Sequence, residues 1–157
     1  MSTFRVAVDL AGADLVFEGL AGDAEAAARP AAQAMAQVLY DDVKNNVDRI
    51  KRKTGNLAAS IYQAYSADNS GPGAATYHVS WNAKRAPHGH LVEFGHLQRY
   101  EITYDPETRR FITHKDRPLA APKQVAARPF IRPAIGKLGA AQAAGRAEFL
   151  RRMGFSA

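Results

Sequence analysis

The sequence predicts an α+β domain of two long helices and about six short strands, on three observations. Residues 23–50 carry apolar side chains every three or four positions, as an amphipathic helix does. Residues 61–66, 75–82, 100–104 and 109–114 alternate in side-chain character around turn-forming stretches, as hairpins do. From about Pro129 to Arg152 the helical period returns in an Ala- and Gly-rich segment. The 157 residues suit one domain spanning 1–157, and 46% apolar with 23% charged residues is a globular rather than a disordered balance.

Taken in chain order, Phe4–Leu10 (FRVAVDL) and Leu15–Leu20 (LVFEGL) are strand candidates on either side of Gly12. Asp23 is placed to cap a helix reaching about Ile50, whose stripe is Ala28, Ala32, Met35, Leu39, Val43, Val47 and Ile50. Asp41, Asp42, Lys44, Asn45 and Asp48 form its polar face. Pro30 either kinks this helix or starts a shorter one at Arg29. In TGNLAAS, Thr54 can cap a short helical turn over Asn56–Ser60, with Gly55 redirecting the chain.

Ile61–Ser66 and Ala75–Asn82 pair across the turn-forming ADNSGPG. His90–Gly95 reads as a further strand. Tyr100–Tyr104 and Arg109–His114 flank DPET, in which Asp105 and Pro106 suit the first two places of a type I turn. Pro118, Pro122, Pro129 and Pro133 then suggest an extended linker over about 117–129. The closing helix sets Ile131, Ile135, Leu138, Ala141, Gly145 and Phe149 near one face, with small residues allowing close backbone approach.

Cysteine is absent, which excludes disulfides, thiolate metal ligands and a cysteine nucleophile, and suits a protein made in a reducing cytoplasm. MSTFRVAVDL has a lone Arg5 and no long apolar core, so no signal peptide is expected. No apolar run approaches the roughly 20 residues of a membrane span. The net charge of +6 and pI near 9.8 favour anionic neighbours, nucleic acid or an acidic protein surface. The basic residues are dispersed, however, and Arg49, Lys51, Arg52 and Lys53 close a helix whose dipole favours cations.

The stretch APHGHLVEFGH poses the question of a metal site. In a regular strand His88, His90 and His96 would share a face, with Glu93 opposite. A zinc site needs a third or fourth ligand and supporting groups. His78 and His114 lie in other strands, and there is no HExxH or calcium loop. Ordinary strand and loop histidines are the better reading. SGPG lacks the following GK[ST] of a phosphate loop, and Ser60, Ser66 and Ser80 lack a GxSxG context. No enzyme and no metal or other cofactor is expected.

Glu93 stands out for another reason. Among Leu91, Val92 and Phe94, its carboxylate needs a cation, from the same chain or from a neighbouring subunit. Arg128 and Arg132 are the simplest partners, since arginine meets a carboxylate with two parallel bonds. Tyr100–His114 is a candidate assembly arm within a hairpin of about 97–115. Tyr100, Ile102, Tyr104, Phe111 and Ile112 need burial, yet Arg99, Glu101, Arg109, Arg110, Lys115 and Arg117 surround them. The alternative is an edge hairpin folded on its own sheet.

Three motifs recur in order after the long helix: TGNLAASI at Thr54–Ile61, HGHLVEFGH at His88–His96 and ARPFIRPAI at Ala127–Ile135. Together they resemble the head–tail joining, or tail-completion, family of long-tailed bacteriophages and phage-like particles. The family pattern is a TGxLxxSI turn, a YAxxVEFGT strand and a PxxPFLRPA entry to the last helix. The resemblance spans about Leu15–Met153 and is carried by Thr54, Gly55, Asn56, Leu57, Gly95, Pro129, Phe130, Arg132 and Pro133. Pro87–His88 and His96 depart from the pattern, and Leu97–Pro118 is a longer connection than its barest form.

The resemblance implies an antiparallel or mixed sheet packed by the long N-terminal helix and the C-terminal helix. It also implies a virion neck protein assembled in the host cytoplasm, a homo-oligomeric ring of about six copies between head connector proteins and the tail tube. DNA would pass through without sequence-specific binding. No catalysis, cofactor or membrane is implied. A closed ring needs two different contact surfaces. The candidates for contact with another subunit or partner are Glu93 and Phe94, with Tyr100, Ile102, Tyr104, Arg109, Arg110 and Phe111 of the hairpin. A small basic nucleic-acid-binding α+β module is the alternative; it would require basic groups gathered on one surface. A zinc hydrolase comes third.

Overall fold

The computed structural model describes residues 11–50, 55–108 and 110–155, with side chains from Glu18 onward. The strand expected at Phe4–Leu10 lies outside the described residues, as do Thr54 and Arg109. The architecture is α+β: a long N-terminal helix, a C-terminal helix and two small antiparallel sheets.

Helix α1 spans Ala11–Arg49, 39 residues, or about 58 Å at 1.5 Å per residue. It begins well before Asp23, so the Leu15–Leu20 strand and the Asp23 cap are both corrected. A six-residue apolar run cannot separate strand from helix, and the Ala-rich AGDAEAAA beyond it lets a helix propagate at little cost. Pro30 lies inside α1 and not at the start of a shorter helix. The buried side runs through Ala27, Ala36, Val43, Asn46 and Val47.

The short helical turn over Asn56–Ser60 forms as read, with Gly55 at its N-cap and no side-chain cap bond; the Thr54 cap lies outside the described residues. Gly55 has φ of +76° and precedes helix α2, Asn56–Ser60. Strands β1 (Ile61–Tyr65) and β2 (Tyr77–Trp81) follow, paired antiparallel from Ile61↔Trp81 to Tyr65↔Tyr77.

His90–Gly95 is not a strand. Gly89–Phe94 forms helix α3, so His88, His90 and His96 share no strand face. The segment has no alternation to hold it extended, and a strand there would place Glu93 and its neighbours on opposite sides. The helix instead sets Gly89 and Glu93, four apart, on one buried side. A side chain at 89 would strike the Trp81 indole, 2.3 Å from where its Cβ would lie.

Strands β3 (His96–Asp105) and β4 (Arg110–Val125) form a separate two-stranded antiparallel sheet. Four strands are thus present among the described residues, against about six expected. The expected linker from 117 is largely strand: Tyr100 pairs with Pro118 and Gln98 with Lys123. Proline is tolerated because both strands are edge strands, where a missing N–H need not break a ladder. Only residues 126–129 of the expected linker lie outside the strand.

Arg132–Lys137 forms a tight 3-10 turn leading into helix α4, Leu138–Arg152. The single helix expected from Pro129 therefore starts later. Helix α4 packs on α1. Gly145 is buried there, and a Cβ would lie 2.4 Å from Met35 Cγ and 3.2 Å from the Ala31 carbonyl. The main core gathers Val43 and Val47 of α1, Leu57, Ala58 and Ile61, Ala86, and Phe130 with Ala134. Trp81 meets Phe130 edge-on, ring centres 5.6 Å apart.

Candidate functional site

The feature uniting the second and third sequence motifs is a carboxylate clamp. Glu93 is 2% exposed. Its Oε2 accepts the Phe130 and Ile131 amides at 2.7 and 3.0 Å, and its Oε1 accepts the Arg132 amide and Nε, both at 3.1 Å. Arg132 Nη2 also donates to the Glu93 carbonyl at 2.7 Å. Burial alone would raise the carboxyl's pKa, but the three amides and the guanidinium outweigh it and hold the group below its ordinary value. The cation comes from the same chain, and it is Arg132. Arg128 instead donates its amide to the Val92 carbonyl at 2.8 Å.

The guanidinium of Arg132 also lies over the Phe94 ring, 5.1 Å from its centre, with Phe94 63% exposed. Asn46 Nδ2 donates to the Phe130 carbonyl and to Asp42, tying α1 to the same motif. From the first motif, Leu57 enters the core, and Lys44 reaches the Ala58 carbonyl at 3.1 Å. Pro133 opens the 3-10 turn. Pro129 and Pro133 line an open groove of about 560 Å³ with Asn46, Arg49, Ile50 and Arg128. Sequence reading missed the Phe130–Arg132 amides and Asn46; backbone donors leave no mark in side-chain patterns.

The clamp sits at the root of the β3–β4 hairpin. Gly95, with φ of +71°, sends the chain outward, and a Cβ there would meet the Val125 carbonyl at 2.7 Å and the Ala127 nitrogen at 2.8 Å. Both strands therefore leave from one tight crossing. Beyond it, among the described residues, the hairpin packs substantially on no other element.

Its two faces differ. Directly paired residues share a face, so Ile102↔Thr113 and Tyr104↔Phe111 lie together, with the Tyr104 and Phe111 rings 5.1 Å apart. The other face carries Glu101, Thr103, Asp105, Arg110, Ile112 and His114. There Thr103 Oγ1 meets His114 Nε2 at 2.8 Å, and Arg117 lies 3.5 Å from Glu101. Tyr100, Ile102, Tyr104 and Phe111 remain 38–48% exposed. At the tip Asp105 accepts the Glu107 amide and the Thr108 hydroxyl, which closes the turn. Among the described residues no other element packs substantially on Tyr100, Ile102 and Tyr104 of the aromatic face.

Among the described residues no three His, Asp or Glu side chains converge as metal ligands, and no helix is long and apolar enough to cross a membrane.

Comparison with known proteins adds one match. The family model described as "Bacteriophage HK97-gp10, putative tail-component" matches residues 16–95, about half of the chain. It ends at Gly95, the residue from which the hairpin departs. No curated protein and no solved structure matches.

Proposed function

The chain belongs to the HK97-gp10-like family of phage tail components, and from that premise we propose that it joins tail to head, as a ring of about six copies. The ring lies at the virion neck between connector and tail tube, with DNA passing through. The role is structural, with no reaction and no cofactor. The observation that carries this reading is the hairpin: a two-stranded arm rooted at Gly95, on which Tyr100, Ile102 and Tyr104 are 38–40% exposed. A two-stranded sheet is marginal by itself in water, and such a face serves a partner.

The test is assembly without the chain. Cells making the particles but lacking it should accumulate filled heads and separate tails, and supplying it in trans should restore joined particles. Normal tailed particles in its absence would overturn the proposal.

A further inference from the structure

We propose that the acidic first half of α1 in one copy docks in the arginine-lined groove at the far end of α1 in the next copy. The inference rests on the ring assembly above and names its subunit contact. Between Arg5 and Arg29 the chain carries Asp9, Asp14, Glu18, Asp23 and Glu25 and no Lys or Arg. Glu18, Asp23 and Glu25 are exposed, and none has an ionic partner among the described residues. The opposite imbalance stands where α1 ends. Arg49 and Arg128 line the groove with Ile50, Pro129 and Pro133. Both arginines are exposed and neither is paired among the described residues.

One chain cannot bring these charges together. Glu25 and Glu18 are about 36 and 46 Å from Arg49 along continuous helix, at 1.5 Å per residue. Exposed charges so far apart are screened from each other by salt. Copies related head to tail can bring them together, and a ring is built from such contacts. The shape of the acidic segment also points to a close partner. Glu18, Gly22 and Glu25 fall on one side of α1, with Gly19, Ala21 and Ala26 beside them. Glycine weakens a helix interior, yet a Cβ at 19 or 22 would meet no atom within 4 Å among the described residues. A helix packed against this side would account for both glycines. The side is smooth and apolar between two carboxylates, and the groove sets proline and isoleucine surface beside two guanidiniums, which favour carboxylates. A DNA backbone would match the arginines but not the apolar floor or the glycines.

The absence of cysteine makes the test direct. Ala26→Cys and Pro129→Cys in one chain leave every charge of the contact in place. Particles carrying that chain are treated with a bis-maleimide too short to span α1. The expected product is a ladder of covalent multimers reaching beyond two chains, while chains with either cysteine alone stay monomeric. A product that stops at two chains, multimers from a single cysteine, or no multimer in tailed particles that contain the chain overturns the docking and leaves the neck role standing. Tailed particles without the chain overturn both. If the double-cysteine chain fails to enter particles, charge reversal decides. Glu18→Lys with Glu25→Lys, and Arg49→Glu with Arg128→Glu, should each lower the yield of joined particles several-fold, and all four together should restore it. Loss from the arginine pair alone would assign the groove to DNA phosphates or another protein's acidic groups and overturn the docking. Unchanged yield from either pair, or failure of the combined variant to restore it, overturns it too.

Discussion

Replacing Glu93 by Gln is the sharpest test of what holds the arm to the body. Four donors converge on the carboxylate, three backbone amides and Arg132 Nε. A glutamine keeps one oxygen for two of them and turns an NH₂ toward the other two. Each buried donor stripped of its acceptor costs roughly 1–3 kcal/mol, so the loss should be about 3–5 kcal/mol, as when one partner of a buried pair is removed. Arg132→Gln leaves the three amides in place, and the Arg132 side chain is 53% exposed. Its loss should be only about 1 kcal/mol. Urea titration followed by circular dichroism reads both. Equal losses for the two variants, or a Glu93→Gln loss under about 0.5 kcal/mol, would refute the account of the clamp.

Acid gives an independent check on the same group. The native Glu93 carboxyl lies below its unfolded value of 4.5. The clamp's contribution is therefore complete above about pH 4.5 and fades as pH falls through the lowered native value. The gap between wild type and Glu93→Gln should narrow in acid and stay constant from pH 6 to 8.

Three further outcomes are expected. Deleting Leu97–Gln124 and closing the root with a short Gly/Ser linker should give a folded, soluble chain that no longer joins tails; aggregation or loss of helical signal would mean the hairpin belongs to the core. Gly145→Leu should cost at least about 1–3 kcal/mol by overpacking α4 on α1, since the site already lacks room for a Cβ; an unchanged urea midpoint would contradict the close approach. Chelator should leave the melting temperature unchanged, and metal analysis of tag-free protein should find no stoichiometric zinc; one zinc per chain would revive the histidine site.

Legibility in the sequence followed the range of the signal. The β1–β2 hairpin, α2 and the turn at Asp105 rest on neighbours within a few residues, and each formed where its turn formers placed it. Helix α3 was misread because six apolar-rich residues carry no usable period, and its choice depends on Trp81 and on amides 37–39 residues away. The rooted half of β4 was misread because proline argues against strands unless an edge is known to be open, and openness is a tertiary fact. Glu93 was legible as a carboxylate among apolar residues, and Arg132 as one of two partners. That Arg132 is the lesser part of the site was not, because the amides doing most of the holding could be any residue's. The aromatic alternation of the hairpin was plain in the sequence; its isolation from the body was visible only in the fold.

The central claim, a ring at the junction of head and tail, is tested most directly by averaged electron micrographs of particle necks carrying a labelled version of this chain. The expected density is a closed ring of several copies at the neck. A single copy there, or label confined to another part of the particle, would contradict it.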